Sequence, residues 1–516
     1  MKLPLLAAAA FGALAGGGAV YLQRSPQQGA PDRSPAGENA APPFDVSTDF
    51  HEGRLDASNA LIVGGGSSPA SSPVSLAQDL VHARDRLSQL GLQAFVLHGG
   101  GDGSPVAVQD EAPGVSPIAD FFDPRDRSVA YRSADLRADG PADAAVVLDA
   151  LRTLAARDEA LTFFLAAHGD PEGFAYLWGE STLDASQVAE ALGSAPARVI
   201  VKSCFGGAFG ALAYESGIAG EGPAAGRRCG FFATTADLEA SGCDPNPQRG
   251  EQEGYVLHFL EALHGVDRAG EAIAVDYDGD ERISLLEAHT RARIATRSLD
   301  VPTTTSEFFL RTEASAYKAL SGAQQDAYFE ASPEDDAVIT ALRGELSVSG
   351  RGELNEALAV SSAQLETVAA EADRLTAERD AAYAILRADL LARWPLLDDP
   401  WHPDHAALLD AHAPAIESAI EQSALGQELR ALDAQIESAI GRYTAIELGV
   451  ARLRTLQRAE ESARMRGFLR ATAPERFAEY ERLVGCERGE LMGPGRAGSG
   501  RAGHGRAGPE RGAHER

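Results

Sequence analysis

The residue types most suited to covalent chemistry follow two neighbouring predicted strands. His168 comes directly after the apolar run FFLAA (163–167), and Cys204 comes after VIVKS (199–203). The carboxyl ends of parallel strands meet at one edge of a sheet and form its ligand crevice, so these two side chains are expected to face each other. A thiol beside a base is the pattern of a nucleophilic cysteine. The alternative is a structural histidine and a buried cysteine that packs as a small hydrophobe.

A sheet of parallel strands would position these residues. Short apolar runs end in small or polar residues and alternate with amphipathic helical patterns, which predicts an α/β fold with a mostly parallel sheet and helices on both faces. The strands are expected at 60–63, 94–97, 161–167, 198–202 and 230–234. From about residue 250 the chain is mostly helical, and segments 353–391 and 424–456 predict an antiparallel helical hairpin or bundle.

The segments FFLAAHGD (163–170) and VIVKSCFGGAF (199–209) resemble the catalytic core of the caspase-like (clan CD) cysteine peptidases, most closely the legumain-type branch and its bacterial relatives. The resemblance covers residues 58–265 and implies a three-layer α/β/α fold. It also implies an endopeptidase that cleaves proteins or peptides through a thioester acyl-enzyme. By this resemblance Cys204 is the nucleophile, His168 is the general base or proton carrier, and Gly169 forms the oxyanion hole with the Cys204 backbone N–H. The residues around Cys204 depart from the local motif of caspases and of eukaryotic legumain, so the cleavage specificity does not carry over.

Substrate-pocket residues are expected in two places. The segment ATTA (233–236), which includes Thr235, resembles the legumain-type strand end beside the specificity pocket. Asp237 and Glu239 follow it and would face a basic substrate side chain; the alternative is two solvated loop carboxylates. Arg132, at another predicted strand end, would instead recognise an acidic side chain. Lys202 either lowers the pKa of Cys204 or has a paired structural role.

A twelve-residue acidic segment fits the calcium-binding loop pattern. The predicted ligands are Asp276, Asp278, Asp280, the Arg282 carbonyl, Ser284 and Glu287. Glu281 stands where such loops normally have glycine, a position that tends to need a positive φ. The alternative is an acidic N-cap of the following helix. The sequence thus predicts a structural Ca²⁺ and no organic cofactor.

Composition limits the compartment and the partners. The 516 residues contain 46 Lys and Arg against 76 Asp and Glu, a net charge of −30 that argues against nucleic acid as a partner. Residues 1–22 have a basic start and an apolar run, which predicts export to the periplasm, cell envelope or medium through a signal peptide or an uncleaved membrane anchor. An exported chain can hold disulfides, and Cys229 and Cys243 are close enough in sequence to pair.

The chain therefore divides into seven predicted segments. They are a signal peptide or anchor (1–22), a disordered linker (23–57), the peptidase-like domain (58–265), the calcium loop and helix (266–300), a connecting segment (301–340), a helical hairpin or bundle (341–486) and a disordered Gly/Arg-rich tail (487–516). The first hypothesis is a secreted cysteine endopeptidase whose Cys204 thiol has a low pKa and whose helical region autoinhibits it or binds other proteins. The second is a non-catalytic, peptidase-like binding or scaffold protein.

Overall fold

The computed structural model describes residues 52–109, 116–122, 129–157 and 159–489. The predicted signal peptide or anchor, most of the predicted linker and nearly all of the predicted tail lie outside these residues. Within them, no helix has both the length and the apolar character needed to cross a membrane.

The strands, in chain order, are β1 (Ala60–Gly64), β2 (Ala94–His98), β3 (Pro105–Gln109), β4 (Val129–Ser133), β5 (Leu161–Ala166), β6 (His168–Gly169), β7 (Ala175–Leu177), β8 (Ser181–Leu183), β9 (Ala197–Lys202), β10 (Arg228–Phe232) and β11 (Thr303–Thr304). Six of them form the main sheet in the order β11-β10-β9-β5-β1-β2. All neighbours in this sheet are parallel except the edge pair β10 and β11. The strand β11 belongs to the predicted connecting segment, so that segment completes the sheet.

The helices are α1 (Glu52–Ala57), α2 (Val74–Gln89), α3 (Pro117–Phe122), α4 (Ala144–Ala155), α5 (Ala185–Leu192), α6 (Tyr255–His264), α7 (Leu285–Ala295), α8 (Thr305–Glu313), α9 (Gly322–Asp326), α10 (Pro333–Leu346), α11 (Arg351–Arg393), α12 (His405–Gln422), α13 (Ala424–Thr472) and α14 (Pro474–Glu487). Short 3₁₀ helices lie at Pro69–Ser71, Trp178–Glu180, Gly206–Ala213, Ser315–Ala319 and Pro395–Asp398.

Alternate strand residues face opposite sides of the sheet, and both sides are buried. On one side Leu61 and Phe163 pack with Leu151 of α4 and Val188 of α5. On the other side Ile62, Val96 and Phe164 belong to a second core that includes side chains of α2, α6 and α7. The predicted α/β fold with a mostly parallel sheet and helices on both faces is confirmed.

Helices α11 and α13 form the predicted antiparallel hairpin. Glu371 of α11 pairs with Arg442 of α13 at 2.9 Å, whereas Arg379, further along α11, pairs with the earlier Asp433 at 3.3 Å. Residue numbers of the partners on α13 decrease as those on α11 increase, so the two helices are antiparallel. A row of buried apolar side chains at helical spacing lies along each helix, which explains why the sequence pattern predicted them.

The helical region is bonded covalently to the sheet. Cys229 of β10 forms a disulfide with Cys486 of α14, across 257 positions of sequence. The pairing of Cys229 with Cys243 that the sequence suggested is therefore wrong, and Cys243 is a free thiol. Proximity in sequence misled here because the fold returns α14 to β10.

Candidate active site at the carboxyl ends of the strands

The register of the central strands brings His168 and Cys204 to the same edge of the sheet. Strands β5 and β9 are parallel neighbours, and Ala166 pairs with Lys202. His168 and Cys204 each lie two residues beyond this pair, and the Ala167 N–H donates to the Lys202 carbonyl at 3.0 Å. The two predicted site residues therefore leave the sheet side by side.

The segment after His168 approaches the Cys204 backbone closely. A Cβ atom placed on Gly169 would lie 2.3 Å from the Cys204 carbonyl oxygen and 2.3 Å from the Ser203 Oγ. Real Cβ contacts are not this short, so any larger residue would push the two strand ends apart. A glycine at position 169 is therefore a geometric requirement of the site, whether or not its N–H binds an oxyanion.

A sharp turn presents Cys204 at the end of β9. Phe205 has φ 58°, a left-handed conformation that costs a non-glycine residue free energy, and the 3₁₀ helix Gly206–Ala213 begins directly after it. The Phe205 N–H donates to the Leu238 carbonyl at 2.7 Å, which fixes the turn against the loop after β10. From the same loop the Ala240 N–H lies 3.3 Å from the Cys204 Sγ. The thiol is half-buried under this loop.

His168 is held by a backbone carbonyl and by a second cysteine. Its Nε2 lies 2.9 Å from the Ser71 carbonyl oxygen. A carbonyl only accepts hydrogen bonds, so Nε2 carries the proton and Nδ1 is the nitrogen that can accept one. Cys243 and its hydrogen bond to the imidazole raise the pKa of His168, against the opposing effect of burial.

Cys243 is a site residue that the sequence analysis missed. Burial favours its neutral form, but the His168 charge, the His168 hydrogen bond and the Lys202 charge together lower the pKa of its thiol. The position of Cys243 in the loop after β10, the strand next to β9, could have indicated a site residue. Its closeness in sequence to Cys229 suggested a disulfide instead. The ends of β5 and β9 and the loop after β10 thus bring a histidine and two thiols together.

The predicted low pKa of Cys204 is wrong for the protein in this conformation. Burial raises the pKa of the Cys204 thiol to about 12, and the charges of Cys243, Glu239 and Asp300 act in the same direction. A hydrogen bond from Ala240 opposes them only in part. Cys204 is therefore a neutral thiol here, and it needs a base to become a nucleophile.

Lys202 has the paired structural role. Its ammonium group is buried against the Asp79 carboxylate of α2 and donates to the Gly242 carbonyl at 2.6 Å. Arg249 pairs with the same carboxylate at 2.7 Å. Burial would raise the pKa of Asp79, but these two cations lower it. The pair fastens the loop that contains Cys243 onto the body of the sheet.

The expected pocket residues divide between two places. Thr235 is buried and donates to Asp237 at 2.6 Å, whereas Asp237 and Glu239 are exposed on the loop above Cys204. Glu239 also faces α13, near Tyr443. Burial is the main cause that raises the pKa of Tyr443 to about 12, and the charges of Glu447 and Glu239 act in the same direction. Arg132 is exposed on β4, within the separate two-stranded sheet of β3 and β4.

The predicted calcium loop brings together three of its six ligands. Carboxylate oxygens of Asp276, Asp278 and Glu287 all lie within 4.8 Å of one another. Glu281 has φ 66°, so this position takes the left-handed backbone that the loop pattern requires, despite the missing glycine.

Two of the other predicted ligands, Ser284 and Asp280, accept hydrogen bonds from nearby backbone N–H groups. Ser284 caps α7 by accepting the Glu287 N–H at 3.1 Å, while Glu287 accepts the Ser284 N–H at 2.9 Å. The Asp280 carboxylate accepts the Arg282 N–H at 2.9 Å. The loop therefore combines an acidic triad with the helix cap that the sequence offered as the alternative.

No protein-family model matches the chain, and no curated protein matches it. Function is therefore inferred from the residues at the strand ends and from their geometry.

Proposed function

We propose that the protein is an exported cysteine endopeptidase of caspase-like type, with Cys204 as nucleophile and His168 as its base. The observation that carries the proposal is the placement of these two residues at matched positions beyond adjacent parallel strands, with Gly169 against the Cys204 backbone. The sharp turn at Phe205 supports it, because a strained turn directly after a strand is a backbone geometry that enzymes use to position a nucleophile.

In this conformation the Nδ1 side of His168 is engaged by Cys243. In the proposed reaction the imidazole leaves Cys243, and its Nδ1 atom accepts the Cys204 proton as the sulfur attacks the carbonyl carbon of the peptide bond. The carbonyl π electrons move to its oxygen, and the backbone N–H groups of Gly169 and Cys204 stabilise that charge. When the C–N bond breaks, His168 returns the proton to the leaving amine. Water then attacks the thioester, which releases the acid product and restores the thiol. Cys243 tunes this cycle by raising the pKa of the imidazole.

A peptide-substrate panel tests the proposal with three variants. Cys204→Ala and His168→Ala should abolish cleavage, and Cys204→Ala should also abolish the acyl-enzyme seen by mass spectrometry. Cys243→Ala should keep activity, with the acid limb of the pH–rate profile moved to lower pH because the pKa of His168 falls. If Cys243→Ala removes the acyl-enzyme and Cys204→Ala does not, the nucleophile is Cys243 and our assignment is wrong.

The second candidate function is a non-catalytic binding or scaffold protein. The observation that favours it is the neutral, half-buried Cys204 beneath the loop that meets α13. The same surface would serve autoinhibition if the protein is a peptidase. Iodoacetamide separates the candidates, since a peptidase should lose activity as its site thiol is alkylated. A scaffold protein should cleave none of the substrates in the panel at any pH, either before or after treatment with iodoacetamide.

We also propose that Asp276, Asp278 and Glu287 hold a structural Ca²⁺. Carboxylate oxygens are the ligands that this cation prefers, and the positive φ at Glu281 supports a loop wrapped around it. Millimolar Ca²⁺ should raise the melting temperature, and Asp276→Asn should remove this rise. Glu271→Gln, a substitution at an exposed acidic residue outside the triad, is the control and should keep it. The proposal fails if the wild-type melting temperature does not respond to Ca²⁺.

Export is supported by the N-terminal sequence and by the Cys229–Cys486 disulfide, because such bonds persist in oxidising compartments. Expression with a reporter fused at the C-terminus, followed by fractionation, tests it. Deletion of residues 2–22 should retain the reporter in the cytoplasm.

A further inference from the structure

A polar cavity lies where the sheet-bearing body meets the helical region. Its volume is about 50 Å³, and side chains of α7, α8, α10, α13 and α14 line it. One water needs about 10–15 Å³ measured in this way, so the cavity has room for several waters or one small polyatomic ion. It is separate from the strand ends that carry His168 and Cys204.

Three side chains of the cavity wall present polar atoms without a partner among the described residues. They are the Nε and Nη2 of Arg293, the Nε2 of His289 and the Oγ of Ser462. The exposed fractions of these residues are 5%, 1% and 6%, so bulk solvent does not satisfy them. Unpaired buried polar atoms cost free energy, which indicates that this wall is built to hold something.

These atoms can all donate hydrogen bonds. The Arg293 guanidinium bonds Asp335 only through Nη1, at 3.3 Å, and its other nitrogens remain as donors. His289 is kept neutral because burial lowers its pKa, and its Nδ1 lies 2.8 Å from the Tyr255 hydroxyl. When Tyr255 donates to Nδ1, the proton of His289 is on Nε2. The occupant of the cavity must therefore accept hydrogen bonds.

The carboxylates around the cavity are already paired with arginines. Glu307 contacts Arg311 at 2.8 Å and Arg458 at 2.7 Å. Glu334 contacts Arg488 at 2.8 Å. Glu481 contacts Arg466 at 3.2 Å, and Asp335 is paired with Arg293 itself at 3.3 Å. Each of these four carboxylates therefore has an arginine partner, and the remaining donors of Arg293 suit an oxyanion, which a guanidinium binds well.

We propose that this cavity binds a small oxyanion such as sulfate, phosphate or a carboxylate, held by Arg293, His289 and Ser462. Arg293 and His289 belong to α7, and Ser462 belongs to α13, so the bound anion bridges the body and the helical region. It stabilises the docking of these two parts in addition to the disulfide. The site is independent of the proposed peptidase activity.

Thermal unfolding and calorimetry of the full chain test the site with inorganic sulfate and inorganic phosphate as probes. At constant ionic strength set with chloride, either probe should give a saturable rise in melting temperature and a stoichiometry of one in calorimetry. Arg293→Gln should weaken binding by at least about tenfold, and Ser462→Ala should weaken it several-fold. Ser462→Ala keeps the test valid if Arg293→Gln does not fold. Acetate in a third series distinguishes a carboxylate site from one that requires a tetrahedral anion.

Arg374→Gln is the control, because Arg374 forms an exposed pair with Glu378 within α11. It should bind the probes as the wild type does. A cavity that holds only water would show no saturable effect of any of the three anions beyond that of chloride, and this result would overturn the proposal. Equal binding by the wild type and both cavity variants would overturn it as well.

Discussion

The disulfide between β10 and α14 should contribute strongly to the stability of this protein. It closes a loop of 257 residues, for which the loop-closure relation gives about 5–6 kcal/mol at 25 °C. Native disulfides usually contribute about 2–5 kcal/mol, because the reduced unfolded chain retains some structure. For a chain of this length we expect Cys486→Ser to lower the melting temperature by about 2–5 °C.

The experiment compares melting temperature and limited proteolysis with and without dithiothreitol. Reductant should destabilise the wild type and leave Cys486→Ser unchanged, since the variant has no bond to reduce. Protease should release the helical region faster from the variant, because α14 is then held to the sheet by packing alone. Cys243→Ser is the control, since it removes a thiol and keeps the disulfide. If Cys486→Ser has the same melting temperature and the same protease resistance as the wild type, the disulfide does not fasten the helical region to the sheet.

Three further predictions concern the strand ends and the buried charges. Gly169→Ala should lower activity at least about a hundredfold, because its Cβ forces the strand ends apart, while Gly250→Ala, whose Cβ meets open space, should leave the rate unchanged. Burial raises the pKa of Glu487 from about 4.5 to about 8, so the folded state binds its proton more tightly and stability should fall as pH rises between these values. Glu487→Gln should therefore flatten the dependence of melting temperature on pH from 5 to 8, and an unchanged slope would contradict this reasoning. Lys202→Met should cost about 3–5 kcal/mol in urea unfolding because it leaves the buried Asp79 with fewer cations, and a cost below about 1 kcal/mol would show that Arg249 alone compensates the charge.

Apolar periodicity accounts for most of what the sequence predicted correctly. Strands of the parallel sheet are buried on both faces, so they read as continuous apolar runs, and β1, β5 and β9 lie where such runs stand. The long helices α11 and α13 bury a stripe at helical spacing, which is equally visible in the chain. The two-residue strand β11 was not predicted, because two threonines carry no periodic signal.

The sequence by itself determined the sheet, the helical hairpin and the positions of His168 and Cys204 at strand ends, since these follow from local patterns of apolar and polar residues. Only the tertiary structure decided that Cys243 contacts the His168 imidazole and that Cys486 forms the disulfide with Cys229. It also decided that the Asp79 carboxylate pairs with Lys202. Cys243 reaches His168, and Cys486 reaches Cys229, only because loops and helices distant in sequence return to the same sheet. The pKa values of these groups depend on burial and on neighbouring charges, which local sequence does not encode. The sequence therefore predicted His168 and Cys204 as a candidate site. Only the folded structure shows that Cys243 is its third residue and how the surroundings shift the pKa values of the three side chains.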